Sequence, residues 1–284
     1  MSKTTFLFAL AWLLTSCAIR DIRPDTSGVF WNEEKGRALL EKAARIHGVN
    51  YWKELETYEI SISDQYYGWV GKLISPYPGN EGALRLQYIP ESFTGRAIFN
   101  GGNWDKRIWG LQSWQAYILS PRGKLRFNRR NDITFHLSAY QYFIEFPLRI
   151  TEAPIVAYIG EKMERGQTYL RVFATWKSPK PQIEFDQYII WINAGSGRID
   201  KLEYTLRDIH KSLHATAYFR HYRRVSGGLL LPEYISISSP LQLGTWLHEW
   251  QLKDFVANPV PAEELGPLSG IPLSKGTAKP TVKH

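Results

Sequence analysis

Apolar and polar residues alternate from Tyr58 to Ser63, with Tyr58, Ile60 and Ile62 interleaved by Glu59, Ser61 and Ser63. A period of two puts one side of a strand on a core and the other in water. Similar patterns recur near 83–89, 95–100 and 104–109. In the second half they come as hairpins. Residues 155–163 and 168–176 flank Arg165-Gly166-Gln167, 183–193 and 199–207 flank Ala194-Gly195-Ser196-Gly197, and 215–225 and 229–238 flank Ser226-Gly227-Gly228. A last strand runs over 245–256. Short glycine-bearing connections join antiparallel neighbours. Two segments carry the helical period instead. Leu39, Leu40, Ala43, Ala44 and Ile46 predict a helix over 32–47, with Asn32 as N-cap, Glu33 and Glu34 in the first turn and Gly48 as the stop. Phe135, Leu137, Tyr140, Phe143 and Ile144 predict one or two helical turns interrupting the strands within 131–146. Strands at fairly regular spacing with few helices predict a mainly β domain over 31–258, either a sandwich or a curled, barrel-like sheet.

The strand around Tyr188 departs from simple alternation. Tyr188, Ile190 and Ile192 point one way while Ile189 and Trp191 point the other, so both faces are apolar. An antiparallel sheet usually keeps one face wet. Two readings follow: a packed sandwich core, or an apolar ligand cavity on the concave side of a sheet covered by helices. Aromatic residues make up 14% of the chain and include 11 tryptophans, enough for either. The candidate ligand contacts are Trp104, Trp109, Trp114, Tyr188, Trp191 and Trp250.

The two ends read differently from the domain. Lys3 precedes an apolar run from Phe6 to Leu14 that is shorter than the ~20 residues a spanning helix needs. Its length and flanks fit the apolar region of a signal peptide, over 1–16. Leu14-Thr15-Ser16-Cys17 follows at once and resembles the lipobox of bacterial lipoproteins. That resemblance implies cleavage before Cys17 and a diacylglyceryl group on its thiol, tethering the protein to a membrane. In such Gram-negative lipoproteins Asp after the cysteine often retains the protein at the inner membrane; Ala18 therefore implies the outer membrane. Residues 17–30 read as a polar tether. Residues 259–284 contain five prolines and no aromatic residue, which predicts a disordered tail.

Chemistry adds little to this picture. Cys17 is the only cysteine, so no intramolecular disulfide is available. His210 and His214 lie four apart on a strand pattern, ~13 Å along the chain, too far for one metal ion. Gly101-Gly102 and Gly227-Gly228 read as turns rather than phosphate cradles, and no nucleophile elbow or acidic calcium loop is present. Catalysis, cofactors and metals thus have no supporting constellation. The formal charge of +8 favours anionic partners such as lipid headgroups. The basic runs at 126–130 and 220–224 are too short to argue for nucleic acid. Between Tyr218 and Arg224 aromatic and cationic side chains are mixed on both faces, as on a solvated strand or a headgroup-reading one.

One resemblance ties the elements together. The early helix reads Leu39-Leu40-Glu41-Lys42-Ala43-Ala44-Arg45-Ile46-His47-Gly48, and 52–58 leads into the first strand. Trp191-Ile192-Asn193 and Gly197-Arg198-Ile199 make a hairpin, and a later turn ends Gly227-Gly228-Leu229-Leu230-Leu231-Pro232. Over about 33–256 this order resembles the LolA/LolB-type superfamily of periplasmic lipoprotein and lipid carriers. The resemblance implies a curved antiparallel sheet forming an unclosed half-barrel, with an N-terminal helix and a short helical lid. It also implies an acyl-chain or lipid ligand held by apolar contact rather than by polar motifs. The alternative is an envelope lipoprotein whose apolar residues simply fill a core.

Overall fold

The computed structural model describes residues 18–24, 31–128 and 131–273. The apolar leader, Cys17 and residues 274–284 lie outside these.

Strand β1 (Tyr58–Tyr66) buries every second residue, as its alternation predicts, with Tyr58, Ile60, Ile62, Asp64 and Tyr66 facing in. It is the sixth strand in one sheet of thirteen among the described residues, next to the central one. To one side the chain meanders outward through β2 (Glu81–Ile89), β3 (Thr94–Phe99), β4 (Ile108–Gln112), β5 (Gln115–Leu119) and the edge strand β6 (Leu125–Phe127). It then crosses to the opposite edge and meanders back. That half comprises β7 (Ile155–Glu164), β8 (Gln167–Thr175), β9 (Tyr188–Asn193), β10 (Ile199–Thr205), β11 (His214–Arg224), β12 (Leu230–Ser238) and β13 (His248–Ala257). β13 pairs antiparallel with β1, from Tyr58 opposite Ala257 to Tyr66 opposite His248, and joins the two halves. β6 and β7 remain unpaired with each other, so the sheet curls without closing.

Among the described residues four α-helices accompany the sheet. In α1 (Glu33–Ile46) Asn32 Oδ1 accepts the Lys35 N–H at 2.8 Å, and Gly48 takes up φ 71° just beyond the end. α2 (Gly68–Ile74) lies in the β1–β2 connection. The crossover holds α3 (Asn131–Ile144) and α4 (Phe146–Arg149), longer than the one or two turns predicted. It touches both halves. The Tyr88 hydroxyl on β2 donates to Leu137 O at 2.9 Å, and Phe143 packs on Tyr204 and Trp250 of the returning strands. Facing it, the inner side chains of nearly all strands form one continuous core.

Four expectations are revised. Trp191 belongs to a separate cluster on the outer face, with Ala157, Ile159, Phe173 and Ile189. A strand apolar on both faces thus has two cores, because Ile22 and Tyr169 cover the outer one and Lys201 Nζ sits 3.8 Å from the Trp191 ring. Trp104 is in a 3-10 turn (Gly102–Trp104) ahead of β4, not in a strand. Of the expected tether, residues 18–24 run along the sheet: Arg20 N–H donates to Lys211 O at 2.9 Å and Ile22 N–H to Gln187 Oε1 at 3.0 Å. Finally, 259–273 of the expected disordered tail packs on the first half of the sheet. Leu265 and Leu268 are buried there, and Gln112 exchanges hydrogen bonds with Leu268 (Leu268 N–H to Oε1, 2.9 Å). Two well-placed leucines suffice for this, whatever the average composition of the segment.

Candidate functional site

The inner face of the half-barrel is an aromatic surface. Starting at Trp104, rings follow one another through Phe99, Tyr77, Tyr66, His248, Trp250, Phe143, Phe219, Phe146 and Tyr188, with centroids 4.7–6.5 Å apart at each step, Phe143 and Phe146 being supplied by the crossover helices α3 and α4. The track begins at the end of the sheet where the β1–β2 and β3–β4 connections meet. A cleft of about 380 Å³ opens there, lined by Asp64, Tyr77, Phe99, Asn100 and Trp104 among others. Beyond the cleft the track is covered by α3 and α4, and Leu137, Tyr140, Phe143 and Phe146 fill the space against the sheet.

Two buried polar clusters fasten this helical plug. At the mouth, Asp64 Oδ2 accepts hydrogen bonds from Tyr140 (2.6 Å) and Tyr77 (3.1 Å), and the two hydroxyls also touch each other. His248 Nδ1 lies 3.3 Å from Asp64 Oδ1. Burial, reinforced by the Asp64 charge, raises both phenols well above their ordinary range, so they stay protonated as donors. Burial pushes His136 on α3 down to about 4, so its ring is neutral at physiological pH. Farther along, Glu145 and Arg149 form a buried ion pair at 2.8 Å. Glu145 also accepts from the Tyr58 hydroxyl (2.8 Å), Gln141 Nε2 (2.8 Å) and the Glu91 N–H (3.0 Å). Arg149 lies over the Phe93 ring at 4.1 Å. A charge removed from water needs this degree of pairing to be tolerated.

The predicted contacts are therefore divided. Trp104 lines the mouth and Trp109 backs it, 5.2 Å from Trp104 and 4.9 Å from Phe99. Trp250 and Tyr188 lie on the track under the plug. Trp114 packs on Phe93 at 5.0 Å, away from the track, in the tight β4–β5 turn. Trp191 is on the other face of the sheet. The polar fasteners Asp64, Tyr140, Glu145 and Arg149 were not anticipated. Asp64 was findable: it continues the inward parity of Tyr58, Ile60 and Ile62, and a carboxylate on a core-facing position signals a buried polar site. Among the described residues no three metal-ligating side chains come together, and no helix is long and apolar enough to cross a membrane.

No family model matches the chain, and no curated protein sequence matches it. Solved structures do share its architecture. A LolA superfamily protein from Nitrosomonas europaea superposes with a TM-score of 0.51 at 12% identity, covering 81% of this chain and 96% of that one. A putative outer membrane lipoprotein-sorting protein domain from Vibrio parahaemolyticus gives 0.51 at 10% identity, covering 83% and 97%. The chain shares the fold of these structures.

Proposed function

We propose that this protein is a lipid-anchored lipoprotein of the bacterial envelope that binds a hydrophobic ligand, an acyl chain or a whole lipid, in its half-barrel without catalysing a reaction. The observation that supports the reading is the aromatic track running from an open mouth into the interface between the sheet and a plug that is a separate helical crossover, not a closing strand. The half-barrel is filled in this structure, so a ligand enters by displacing α3. An acyl chain of about 16 carbons gains on the order of 12 kcal/mol from burial, enough to offset the exposure of a few side chains and the loss of the Asp64 contacts. The Vibrio parahaemolyticus neighbour is named as an outer membrane lipoprotein-sorting domain, which agrees with an acyl ligand. The lipobox at 14–17 supports anchoring at Cys17, and Ala18 supports the outer membrane. Nothing in the sequence supports a nucleic-acid partner or a cofactor.

A second reading has its own observation: Tyr140, Phe143 and Phe146 already fill the concave face, as in an envelope protein whose core holds no ligand. The two are separated by extracting the protein from membranes and analysing it by native mass spectrometry and solvent extraction. Co-purified lipid at a fixed stoichiometry supports the carrier. A chain that stays ligand-free in an excess of lipid supports the filled core.

A further inference from the structure

The register of the sheet sorts its connections into two ends. Tyr66 lies opposite His248, Ser238 opposite Thr216, Thr205 opposite His214 and Tyr188 opposite Ala174. The β1–β2, β8–β9, β10–β11 and β12–β13 connections therefore share one end. Each of them exposes large apolar side chains: Trp69, Leu73 and Ile74 on α2, then Ile183, Ile209 and Leu243, all between 50% and 87% exposed. Among the described residues the hairpin connections at the opposite end carry no comparable group, and the large apolar side chains exposed toward it, Phe127, Met163 and Val256, lie on strand ends. α2 and the β12–β13 connection are also joined directly, since Gln242 Oε1 accepts the Val70 and Gly71 N–H groups at 3.0 and 3.2 Å.

Two further observations indicate what covers this rim. The first is where the described chain begins. Arg20 is bonded to Lys211 and Arg207, and Ala18 lines a cleft with Ser212–His214 and Ser239–Leu241, so the N-terminal segment reaches the same end. Cys17, the proposed lipidation site, is the residue before Ala18 in the sequence. The second is charge. Across the connections at this end, including β3–β4 and β5–β6, cations such as Lys72, Arg107, Lys124, Lys180 and Lys211 outnumber the acids Asp105, Glu184, Asp186 and Asp208. Apolar tips among cations suit a bilayer interface with anionic headgroups.

We infer that this rim lies in the membrane interface, with Leu243, Ile209, Ile183 and the outer face of α2 inserted, so that the domain stands on the bilayer rather than hanging from a loose tether. The inference rests on the anchored-lipoprotein reading for its orientation. The mouth between Tyr77 and Trp104 is at the same end, so a lipid leaving the bilayer meets the aromatic track directly.

The test uses the mature lipidated chain in vesicles of phosphatidylethanolamine and phosphatidylglycerol. A thiol-reactive environment-sensitive dye is placed at Leu243→Cys, Ile209→Cys or Met163→Cys in turn, Cys17 being blocked by its lipid. The dye at 243 and 209 shifts to the blue and is quenched by brominated lipid, while the dye at 163 does neither. Vesicle-bound protein that is silent at 243 and 209, or quenched at 163, overturns the inference. The same labelled chains expressed from Ala18 onward, which keep every described residue, separate the rim from the anchor. They still give the shift at 243 on these vesicles, and combining Leu243→Asn with Ile209→Asn lowers their partitioning by about tenfold. Failure of lipidation alone would sink the anchor and leave this second result standing.

Discussion

The Tyr140 hydroxyl on α3 donates a 2.6 Å hydrogen bond to Asp64 Oδ2 on β1, across the interface between plug and sheet. It is the plug's polar contact nearest the open mouth. Tyr140→Phe keeps the ring packing on Trp250 and removes this bond together with the hydroxyl's contact to Tyr77. Asp64 keeps Tyr77 and His248, so the expected loss is about 1–3 kcal/mol in urea unfolding. If α3 is the element that moves, amide exchange over 133–140 accelerates more than over β1, and uptake of a fluorescent fatty acid becomes faster. A uniform change in exchange across the sheet would show that the bond stabilises the whole domain and does not gate the plug.

Glu145 and Arg149 are held in a stronger constraint, because both are fully buried. Arg149→Met leaves the Glu145 carboxylate without its counter-charge, and a cost of about 3–5 kcal/mol is expected. Adding Glu145→Gln recovers part of that loss, since the neutral amide needs no counter-charge and its single oxygen keeps either the Tyr58 bond or the Glu91 N–H bond. Equilibrium unfolding of the two single variants and the double variant measures this directly. Additive losses would mean that the pair acts through packing instead of charge.

How far the sequence reveals this architecture depends on which forces act locally. The hairpins of the second half were legible because glycine turns separate them. The β4–β5 hairpin was not, because its turn is Ser113-Trp114, two non-glycine residues at φ 45° and 66°. α2 was equally hidden: seven residues with two glycines, held by a Gln242 side chain far along the chain. Two-sided apolarity at Tyr188–Asn193 announced a second covering layer but not its source, the segment around Ile22. Half of the site was readable as aromatic surface. Its polar fasteners depend on helix-to-strand pairings that no local pattern encodes, apart from the inward parity of Asp64.

His47 gives the fold a pH dependence whose sign is fixed. Burial, aided by the Arg198 and Arg224 charges, pushes its imidazole down to about 4. The neutral ring accepts the Ile199 N–H on Nε2 and has Nδ1 at 3.2 Å from Leu230 O. The unfolded chain takes up a proton near 6.5 and the native one only near 4, so stability falls as pH drops across that window. The full effect is roughly 3 kcal/mol. Asp186, raised by burial to about 6, works in the opposite direction over an overlapping range. The measurement is therefore the difference in stability between the native sequence and His47→Gln, which narrows from pH 7 to pH 4.5. A constant difference would assign His47 a purely steric role.

Cys17→Ser tests the anchor apart from the fold. The proposed lipid attachment needs the thiol, so the variant is expected either uncleaved or released into the soluble fraction, with the thermal stability of the domain unchanged. Fractionation and intact mass give the answer. A native-sequence chain extracted from membranes whose intact mass carries no acyl groups would refute lipidation.

Gly36 supplies a prediction in which general propensity and local geometry oppose each other. In the middle of α1, Gly→Ala ordinarily stabilises by about 0.5–1 kcal/mol. Here a Cβ would lie 2.6 Å from the Tyr158 backbone nitrogen and 2.9 Å from the Ala157 Cα, because the helix is pressed directly onto β7. Neither neighbour is a movable side-chain end; both belong to a strand that is hydrogen-bonded along its length. The helix must lift, and the Asn32–Tyr158 backbone bonds at 2.8 and 3.2 Å stretch with it. Gly36→Ala is thus expected to destabilise by about 1–3 kcal/mol, as overpacking does. Gly79→Ala, where a Cβ meets nothing within 4 Å, serves as the control and stays within about 0.5 kcal/mol. Equal or greater stability of Gly36→Ala would mean that α1 does not sit this close to the sheet in solution.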